Sequence, residues 1–334
     1  MKKVLVLGAT GAIATYMIPA ILQRGMSVTG VSLDDMTSDN PHLRYLTGDA
    51  MDLTFLQGLL AEGYDAVVDF MVYKTKEQFS RYYPLFLANT AHYIFLSTYR
   101  IYAWEHPLRE DSLRLLDAPR PDDFVAELEY SIYKAEEEDL LHASGYRNFT
   151  IVRPAITYSK CRFQLTTLEA DVVVARMRAG KTVLLPEGAI DREATMSWAG
   201  DVGYMLAHIL FNERAYGEVY TTATSEHHTW REIAEMYGRI GGLTYQTVPD
   251  ETYIEIVGGS VASRQQLKYD RCYDRIVDNA KILDLCGLKQ ADLMPLEEGL
   301  RMEYESLTEQ RLTRIGTNTA VNERMDAYLA AYGK

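Results

Sequence analysis

The chain has 334 residues, 47% of them hydrophobic, and a formal net charge of -13, so it can bury one large core or two unequal ones. The acidic balance, with no Lys/Arg-rich run, disfavours nucleic acid as a main partner. The apolar opening at 3–7 is too short to span a membrane and has no cleavage-site pattern, so we expect a cytoplasmic protein without membrane contact. Scattered cysteines and histidines predict no metal site.

The first half of the chain alternates short apolar runs with helix-like stretches, which is typical of βαβ units stacked into a parallel sheet. Predicted strands cover 3–7, 27–32, 43–46, 66–70, 93–96 and 149–153. Predicted helices cover the stretch after the first glycines to residue 23, then 55–61 and 124–144. A loop rich in proline and charge at 106–123 precedes the last of these helices.

The second half is less regular, with predicted helices at 168–178, 202–211 and 230–238. We therefore predict an α/β protein with two parts. Residues 1–155 form a doubly wound parallel sheet with its helices. Residues 156–334 form a smaller, mainly substrate-binding mixed domain, from which some strands and helices return to the first core. The polar stretch 308–319 is a candidate linker before the terminal helix.

A glycine-rich turn follows the first predicted strand, where residues 8–14 read GATGAIA before a predicted helix. Gly8 permits a tight turn, Gly11 lets the backbone approach a pyrophosphate, and the small Ala14 allows close packing of helix on sheet. The helix N-terminus offers free N–H groups to that anion. The residues expected to contact a dinucleotide here are Gly8, Thr10, Gly11, Ala12 and Ile13. The alternative is a glycine turn without a ligand.

The end of the second strand supplies a candidate ribose-binding residue. The sequence there reads Ser32-Leu33-Asp34-Asp35, and Asp34 can hold the adenosine ribose hydroxyls. No Lys or Arg stands near Ala9, Ala12 or Leu33 to receive a 2′-phosphate. The sequence therefore favours NAD over NADP, without excluding NADP. The alternative for Asp34 is a solvated loop carboxylate.

Tyr130 and Lys134 lie four residues apart, on one face of a predicted helix. A cation beside a phenol favours its deprotonated form, which lets it exchange a proton with an alcohol or a ketone. The spacing alone is weak, because the chain has 24 tyrosines and such pairs arise by chance on surface helices.

The glycine motif, Tyr130, Lys134 and their separation together resemble the extended short-chain dehydrogenase/reductase family, which is NAD-dependent epimerase/dehydratase-like. The resemblance spans about residues 1–305 and implies a Rossmann-type fold with NAD as cofactor. Further matching segments are 48–50, 67–74, 96–102, 152–158, 201–202 and 295–300.

The resemblance also implies roles for individual residues. Tyr130 would move the substrate hydroxyl proton, and Lys134 would tune that phenol and bind the nicotinamide ribose. By register Thr98 would polarise the substrate oxygen, with Ser97 as the competing hydroxyl. Besides the glycine turn, the implied cofactor contacts are Ser32, Asp34, Asp49, Ala50, Phe70, Met71, Lys74, Tyr130, Lys134 and Pro154. A homodimer through the helices near Leu85 and Tyr130 is implied as well.

The sequence departs from the family at several positions. Tyr99 and Arg100 stand where dehydratases carry acidic residues, so loss of water is disfavoured. Ile156 and Ala194 replace an Asn and an Arg of many nucleotide-sugar epimerases, with Arg192 as a candidate substitute.

We therefore expect an NAD-dependent epimerase or oxidoreductase that acts on a secondary alcohol or ketone of a sugar or nucleotide sugar. One alternative is a one-way NAD(P)H-dependent ketone reductase acting on a non-sugar substrate. The other is a non-catalytic dinucleotide-binding sensor, which the presence of Tyr130, Lys134 and Thr98 argues against.

Overall fold

The computed structural model describes residues 1–119, 124 and 129–333. Its strands are β1 (Lys3–Leu7), β2 (Ser27–Ser32), β3 (Leu43–Thr47), β4 (Ala66–Asp69), β5 (His92–Leu96), β6 (Phe149–Val152), β7 (Ile156–Tyr158), β8 (Thr182–Pro186), β9 (Glu193–Ala194), β10 (Met196–Trp198), β11 (Glu218–Tyr220), β12 (His228–Thr229) and β13 (Thr244–Val248).

The α-helices are α1 (Ala14–Gln23), α2 (Leu53–Leu60), α3 (Lys76–Phe79), α4 (Tyr83–Asn89), α5 (Tyr130–Ala143), α6 (Ala170–Ala179), α7 (Ala199–Ile209), α8 (Trp230–Gly241), α9 (Asp250–Ile256), α10 (Val261–Gln266), α11 (Ala280–Cys286), α12 (Leu296–Glu305), α13 (Glu309–Ile315) and α14 (Thr319–Tyr332). A short 3₁₀ turn at Tyr99–Ile101 and a π-helical turn at Leu267–Arg271 border the site discussed below. Within the described ranges, no helix combines the length and the apolar character needed to cross a membrane.

Seven parallel strands form the central sheet in the order β11-β6-β5-β4-β1-β2-β3. The inner strand β1 is covered on both faces, which explains its unbroken apolar sequence. Val4 and Val6 pack with α1, α7 and α11 on one face, whereas Leu5 and Leu7 pack with α2, α4 and α5 on the other. The predicted doubly wound α/β fold is confirmed. Both β11 and α7, which packs against α1, come from beyond residue 156 and complete this core.

The C-terminal part forms its own hydrophobic cluster beside the sheet. Short strand pairs build it: β7 with β10, β8 with β13 and β9 with β12. Helices α6, α8, α9 and α14 pack around these pairs. This cluster carries the turn after β7 and the π-helical turn, both of which face the carboxyl end of the sheet's β5 and β6 through a shared cavity.

The predicted helix at 124–144 begins later than expected. Phe124 and Glu129 are not helical, and residues 125–128 lie outside the described ranges. Glu129 has extended backbone angles and caps α5, because its carboxylate accepts a hydrogen bond from the N–H of Ser131 at 3.3 Å. The guanidinium of Arg100 holds the same carboxylate at 2.7 Å. A long-range ion pair therefore sets the start of the helix.

Candidate functional site

The glycine turn has the backbone that the sequence predicts. Gly8 adopts φ +82°, a region that favours glycine, and a Cβ there would lie 3.1 Å from the Cβ of Phe70. At Gly11 a Cβ would lie 3.2 Å from the carbonyl oxygen of Gly8. The turn is therefore tight, and its outer surface at Gly11 is exposed and free of side chain.

The turn also leaves N–H groups available. Within the described part of the chain, the N–H groups of Thr10, Ala12 and Ile13 have no hydrogen-bond acceptor, and Ile13 starts α1 without a side-chain cap. Unpaired N–H groups at a helix N-terminus fit the pyrophosphate of a dinucleotide.

A cavity of about 330 Å³ lies between the glycine turn and the end of β2. The predicted cofactor residues that line it are Gly8, Thr10, Ser32, Asp34, Asp49, Ala50 and Met71. Segments far apart in sequence thus meet where the adenosine half of the cofactor was expected. Phe70 lies directly under Gly8. We call this space the adenosine cavity.

A second cavity, of about 300 Å³, lies at the other end of the turn and contains the predicted catalytic hydroxyl groups. Ile13, Ser97, Thr98, Tyr130 and Pro154 all line it. We call it the catalytic cavity. It brings together residues from the glycine turn, the end of β5, the start of α5 and the turn after β6.

Thr98 and Ser97 differ in their surroundings. The hydroxyl oxygen of Thr98 accepts a hydrogen bond from the N–H of Arg100 at 3.2 Å, which holds it at the start of the 3₁₀ turn. Ser97 is 0% exposed, and its hydroxyl has no hydrogen-bond partner among the described residues. The side chain of Thr98 is the more accessible of the two.

The structure places Lys134 away from the cavity lining. Lys134 is 1% exposed, and its ammonium lies 3.0 Å from a carboxylate oxygen of Glu137 and 4.5 Å from the ring centroid of Phe95. Burial alone would lower the pKa of Lys134, but Glu137 and Tyr130 outweigh burial and raise it. Burial raises the pKa of Glu137 to about 7, although Lys134 opposes that shift.

Lys74 is not brought together with the other predicted cofactor residues. Its side chain is exposed and lines a separate groove with Tyr133 and Glu136. The register of the fourth-strand segment was predicted from the resemblance, but the chain after β4 turns Lys74 away from the glycine turn. Lys74 as a pyrophosphate contact stays a prediction.

The Arg-Pro turn after β6 connects α5 to the sheet. Arg153 donates two hydrogen bonds to Glu138 on α5, at 3.0 and 2.6 Å, and a third to the hydroxyl of Tyr102 at 3.0 Å. The carbonyl of Pro154 accepts a hydrogen bond from the N–H of Tyr99 at 3.1 Å. These bonds hold Tyr130 and Thr98 at one cavity.

An arginine cluster surrounds this cavity. Asp270 forms ion pairs with Arg271, with Arg275 at 3.0 Å and with Arg100 at 3.5 Å. Burial alone would raise the pKa of Asp270, but these arginines outweigh burial and hold it below its ordinary value. Arg100 also stacks over the ring of Tyr130, 5.6 Å from its centroid. The cluster unites the 3₁₀ turn, α5 and the π-helical turn.

Five polar residues that line the catalytic cavity together with Tyr130 were not identified from the sequence. They are Arg162, Gln164, Glu169, Gln266 and Arg271. Residue type alone could not identify them, because they follow no motif and come from two distant segments. Arg192, the candidate substitute, is half exposed, lies 4.0 Å from Asp274 and does not line the cavity.

The two positions at which the sequence departs from dehydratases carry no carboxylate and are held by neighbouring groups. Tyr99 is buried, and burial together with Asp270 raises its pKa to about 12, so its phenol stays protonated at neutral pH. Arg100 is held by Glu129 and Asp270.

Structural comparison finds the same fold in several solved proteins. An epimerase from Methanothermobacter thermautotrophicus matches with a TM-score of 0.69 at 11% sequence identity, and the match covers 91% of this chain and 91% of the epimerase. A dTDP-glucose 4,6-dehydratase from Bacillus anthracis, solved with NAD, has a TM-score of 0.67 at 16% identity, covering 91% of this chain and 96% of its own. A UDP-glucuronic acid 4-epimerase from Bacillus cereus, solved with UDP-glucuronic acid and NAD, has a TM-score of 0.64 at 19% identity, covering 91% and 98%.

No curated protein is similar enough to count as a match. The family model "NAD dependent epimerase/dehydratase family" matches residues 4–220, which include the glycine turn, Thr98, Tyr130 and Lys134. This match covers more than half of the chain, and the predicted family and its cofactor, NAD, are confirmed. The chain belongs to the NAD-dependent epimerase/dehydratase family.

Proposed function

We propose that the protein oxidises and reduces a secondary alcohol or ketone of a sugar or nucleotide sugar, with Tyr130, Lys134 and Thr98 as its chemical groups. The observation that carries this proposal is that Tyr130 and Thr98 line one cavity with Ile13 of the glycine turn. Similar structures include proteins named for dTDP-glucose and UDP-glucuronic acid. We also propose a homodimer through the helices near Leu85 and Tyr130, as the resemblance implies.

The proposed chemistry uses the residues as follows. When bound, NAD supplies the carbon that takes up a hydride and gives it back. In its phenolate form, Tyr130 accepts the proton of the substrate hydroxyl while the substrate carbon that bears this hydroxyl is oxidised to a carbonyl, and the resulting phenol returns the proton in the reverse direction. The hydroxyl of Thr98 donates a hydrogen bond to the same substrate oxygen.

Two cations support the phenol of Tyr130 in this proposal. Lys134 acts from the buried side of α5, where it is within electrostatic reach of Tyr130. Arg100 acts from the cavity side, where its guanidinium stacks over the ring. Both cations therefore lie beside the phenol that takes part in the proposed proton transfer.

The guanidinium groups that line the cavity support an anionic substrate. They belong to Arg100, Arg162 and Arg271, and Glu169 is the one carboxylate of the described lining. Because Asp270 pairs with both Arg100 and Arg271, Arg162 is the least tightly paired of the three. Glu169 is itself engaged by Gln164 and lies 3.8 Å from Arg162. Planar guanidinium groups bind phosphate oxygens in pairs, which suits the diphosphate of a nucleotide sugar. Arg162 and Arg271 would then bind the diphosphate, which Ala194, lacking a charged side chain, cannot do.

Redox-neutral epimerisation or simple reduction is favoured over dehydration. A dehydratase needs a side chain that removes one proton and returns another to a leaving hydroxyl. Tyr99 and Arg100 occupy the positions where the family carries those carboxylates, and neither can play that part at neutral pH. The product should therefore keep every oxygen of the substrate.

Replacing Tyr130 by Phe tests the chemical assignment. Turnover of UDP- and dTDP-sugars in the presence of NAD should fall by a factor on the order of 10² or more, since the proton acceptor is lost. Affinity for NAD, measured by calorimetry, should change little. Tyr133→Phe is the matched control, because Tyr133 packs edge-on against Tyr130 at 5.4 Å but does not line the cavity.

Mass spectrometry of the products judges the reaction class. A product of unchanged mass without net use of cofactor indicates an epimerase, whereas a gain of two hydrogens with one NAD(P)H consumed per turnover indicates a reductase. A product lighter by one water would refute both. Full activity in Tyr130→Phe would refute the role of Tyr130.

A further inference from the structure

The segment after residue 307 is anchored to the C-terminal core by its last helix. Val321 and Met325 of α14 are buried in that core. The buried guanidinium of Arg176 donates hydrogen bonds to the carbonyl of Asn322 at 3.3 Å and to Asp326 at 2.9 Å. The predicted linker at 308–319 is thus largely a helix, α13, which is followed by the anchored helix α14.

Helix α13 itself is loosely packed. It has no fully buried residue, and a cavity of about 450 Å³ separates it from α6. Only Leu312 and Ile315 rest on the core, both partly exposed. A helix anchored at its far end and loose along its length can shift without disturbing the core.

Arg314 projects from α13 to the adenosine cavity. Its Nη2 lies 3.1 Å from a carboxylate oxygen of Asp34 and 3.4 Å from the carbonyl oxygen of Thr10. No Lys or Arg of the described residues lines the adenosine cavity itself. The expectation that no cation stands near the end of the second strand is therefore wrong, because a residue 280 positions away in sequence supplies one.

A third cavity, of about 270 Å³, extends the positive charge along the glycine turn. Arg314 lines it together with Gly11, Lys160 and Arg162. Among the described residues, Lys160 has no ion-pair partner, and burial followed by the nearby Arg311 lowers its pKa. The surface beside the turn is thus locally cationic in a protein of net charge -13.

Asp34 and Arg314 together have a specific consequence for the adenosine ribose. A free carboxylate at Asp34 would hold the 2′-hydroxyl of NAD and repel the 2′-phosphate of NADP. Arg314 neutralises that carboxylate and carries N–H groups that match a phosphate. Both side chains are about half exposed, so Arg314 can turn from Asp34 to a phosphate at little cost.

We propose that Arg314 is a cofactor-binding residue that sets how strongly the protein discriminates between NAD and NADP. It pairs with Asp34 when the ribose carries a hydroxyl, and it binds the phosphate when the ribose carries one. This rests on the dinucleotide site at the glycine turn. In this proposal, α13 of the C-terminal segment supplies a contact to the adenosine half of the cofactor.

Calorimetric titration of the full chain with NAD and with NADP tests this assignment. Arg314→Ala should weaken NADP binding by about tenfold or more, because NADP loses a charge-assisted contact and meets an unpaired Asp34 carboxylate. NAD binding should stay within about threefold of its original strength. Arg314→Lys should recover part of the NADP affinity. Arg301→Ala removes an exposed arginine of α12 that pairs with Glu297, and it is the matched control with no expected change.

The outcomes separate this proposal from the dinucleotide site itself. Equal weakening of NAD and NADP in Arg314→Ala, or no change in either, would overturn the role of Arg314 and leave the site intact. A lower melting temperature with equal weakening would mark Arg314 as structural and would also overturn it. Failure of the unaltered protein to bind either dinucleotide would overturn the site as well.

Discussion

The glycine turn and the arginine cluster around Asp270 are built in opposite ways. The turn is a run of seven adjacent residues whose function depends on backbone: a positive φ at Gly8, a missing side chain at Gly11 and unpaired N–H groups. The cluster depends on side-chain charge collected from three segments, and Asp270 and Arg100 meet only in the folded protein. We therefore expect the cofactor to contact local backbone geometry, and we expect the proposed substrate to contact charges that only the folded chain brings together.

The largest expected effect is in the arginine cluster. Among the described residues, Asp270 is the carboxylate that pairs with Arg271 and Arg275, whereas Glu129 pairs with Arg100. Asp270→Asn would therefore remove the described anion of two buried guanidinium groups. We expect the free energy of unfolding to fall by about 3–5 kcal/mol, the usual cost of an uncompensated buried charge. Urea denaturation measures it.

The matched control is Asp284→Asn, which breaks an ion pair with Arg214 in which both side chains are more than half exposed. Its cost should be at most about 1 kcal/mol. Similar losses in the two variants would remove the distinction between an assembled buried cluster and ordinary surface pairs.

A smaller effect is expected from a change in the glycine turn. Gly11→Leu would place a side chain where the pyrophosphate approaches, 3.2 Å from the carbonyl of Gly8 at its first atom. NAD affinity should fall by about tenfold or more, roughly 1.4 kcal/mol, while the melting temperature changes little because Gly11 is exposed. Gly58→Leu, on an exposed face of α2 where a Cβ meets open space, is the control. Unchanged NAD affinity in Gly11→Leu would contradict the site.

The most gradual effect concerns Glu137, because it is spread over several pH units. Its pKa of about 7 in the folded protein exceeds the ordinary value, mainly because of burial, so the folded state binds more protons than the unfolded state between about pH 4.5 and 7. The free energy of unfolding should therefore fall as pH rises through that window, by up to about 1.4 kcal/mol per pH unit.

Chemical denaturation at several pH values should show this slope in the unaltered protein and a shallower one in Glu137→Gln. Glu136→Gln, which alters an exposed ion pair with Lys76, serves as the control with the original slope. Equal slopes in all three proteins would mean that burial of Glu137 does not govern its titration.

The sequence alone determined the parallel sheet and the glycine turn, and its resemblance to the family implied that Tyr130 and Thr98 lie at one site. Alternating apolar runs, glycines and strand ends are local signals, because side-chain period and turn geometry depend on adjacent residues. The carboxyl ends of the strands in a parallel βαβ series also lie at the same edge of the sheet. Residues 8–14 and 97–98, which follow β1 and β5, are therefore expected to lie at that edge.

Only the tertiary structure decided the charges around that site. Spacing put Lys134 on the face of Tyr130, yet the packing of α5 against β5 buried its ammonium with Glu137 beside Phe95. Ion pairs act through space and follow no sequence period. The sequence near Asp34 therefore could not predict its pairing with Arg314, and the sequence near Thr98 could not predict that Arg271 lines the same cavity.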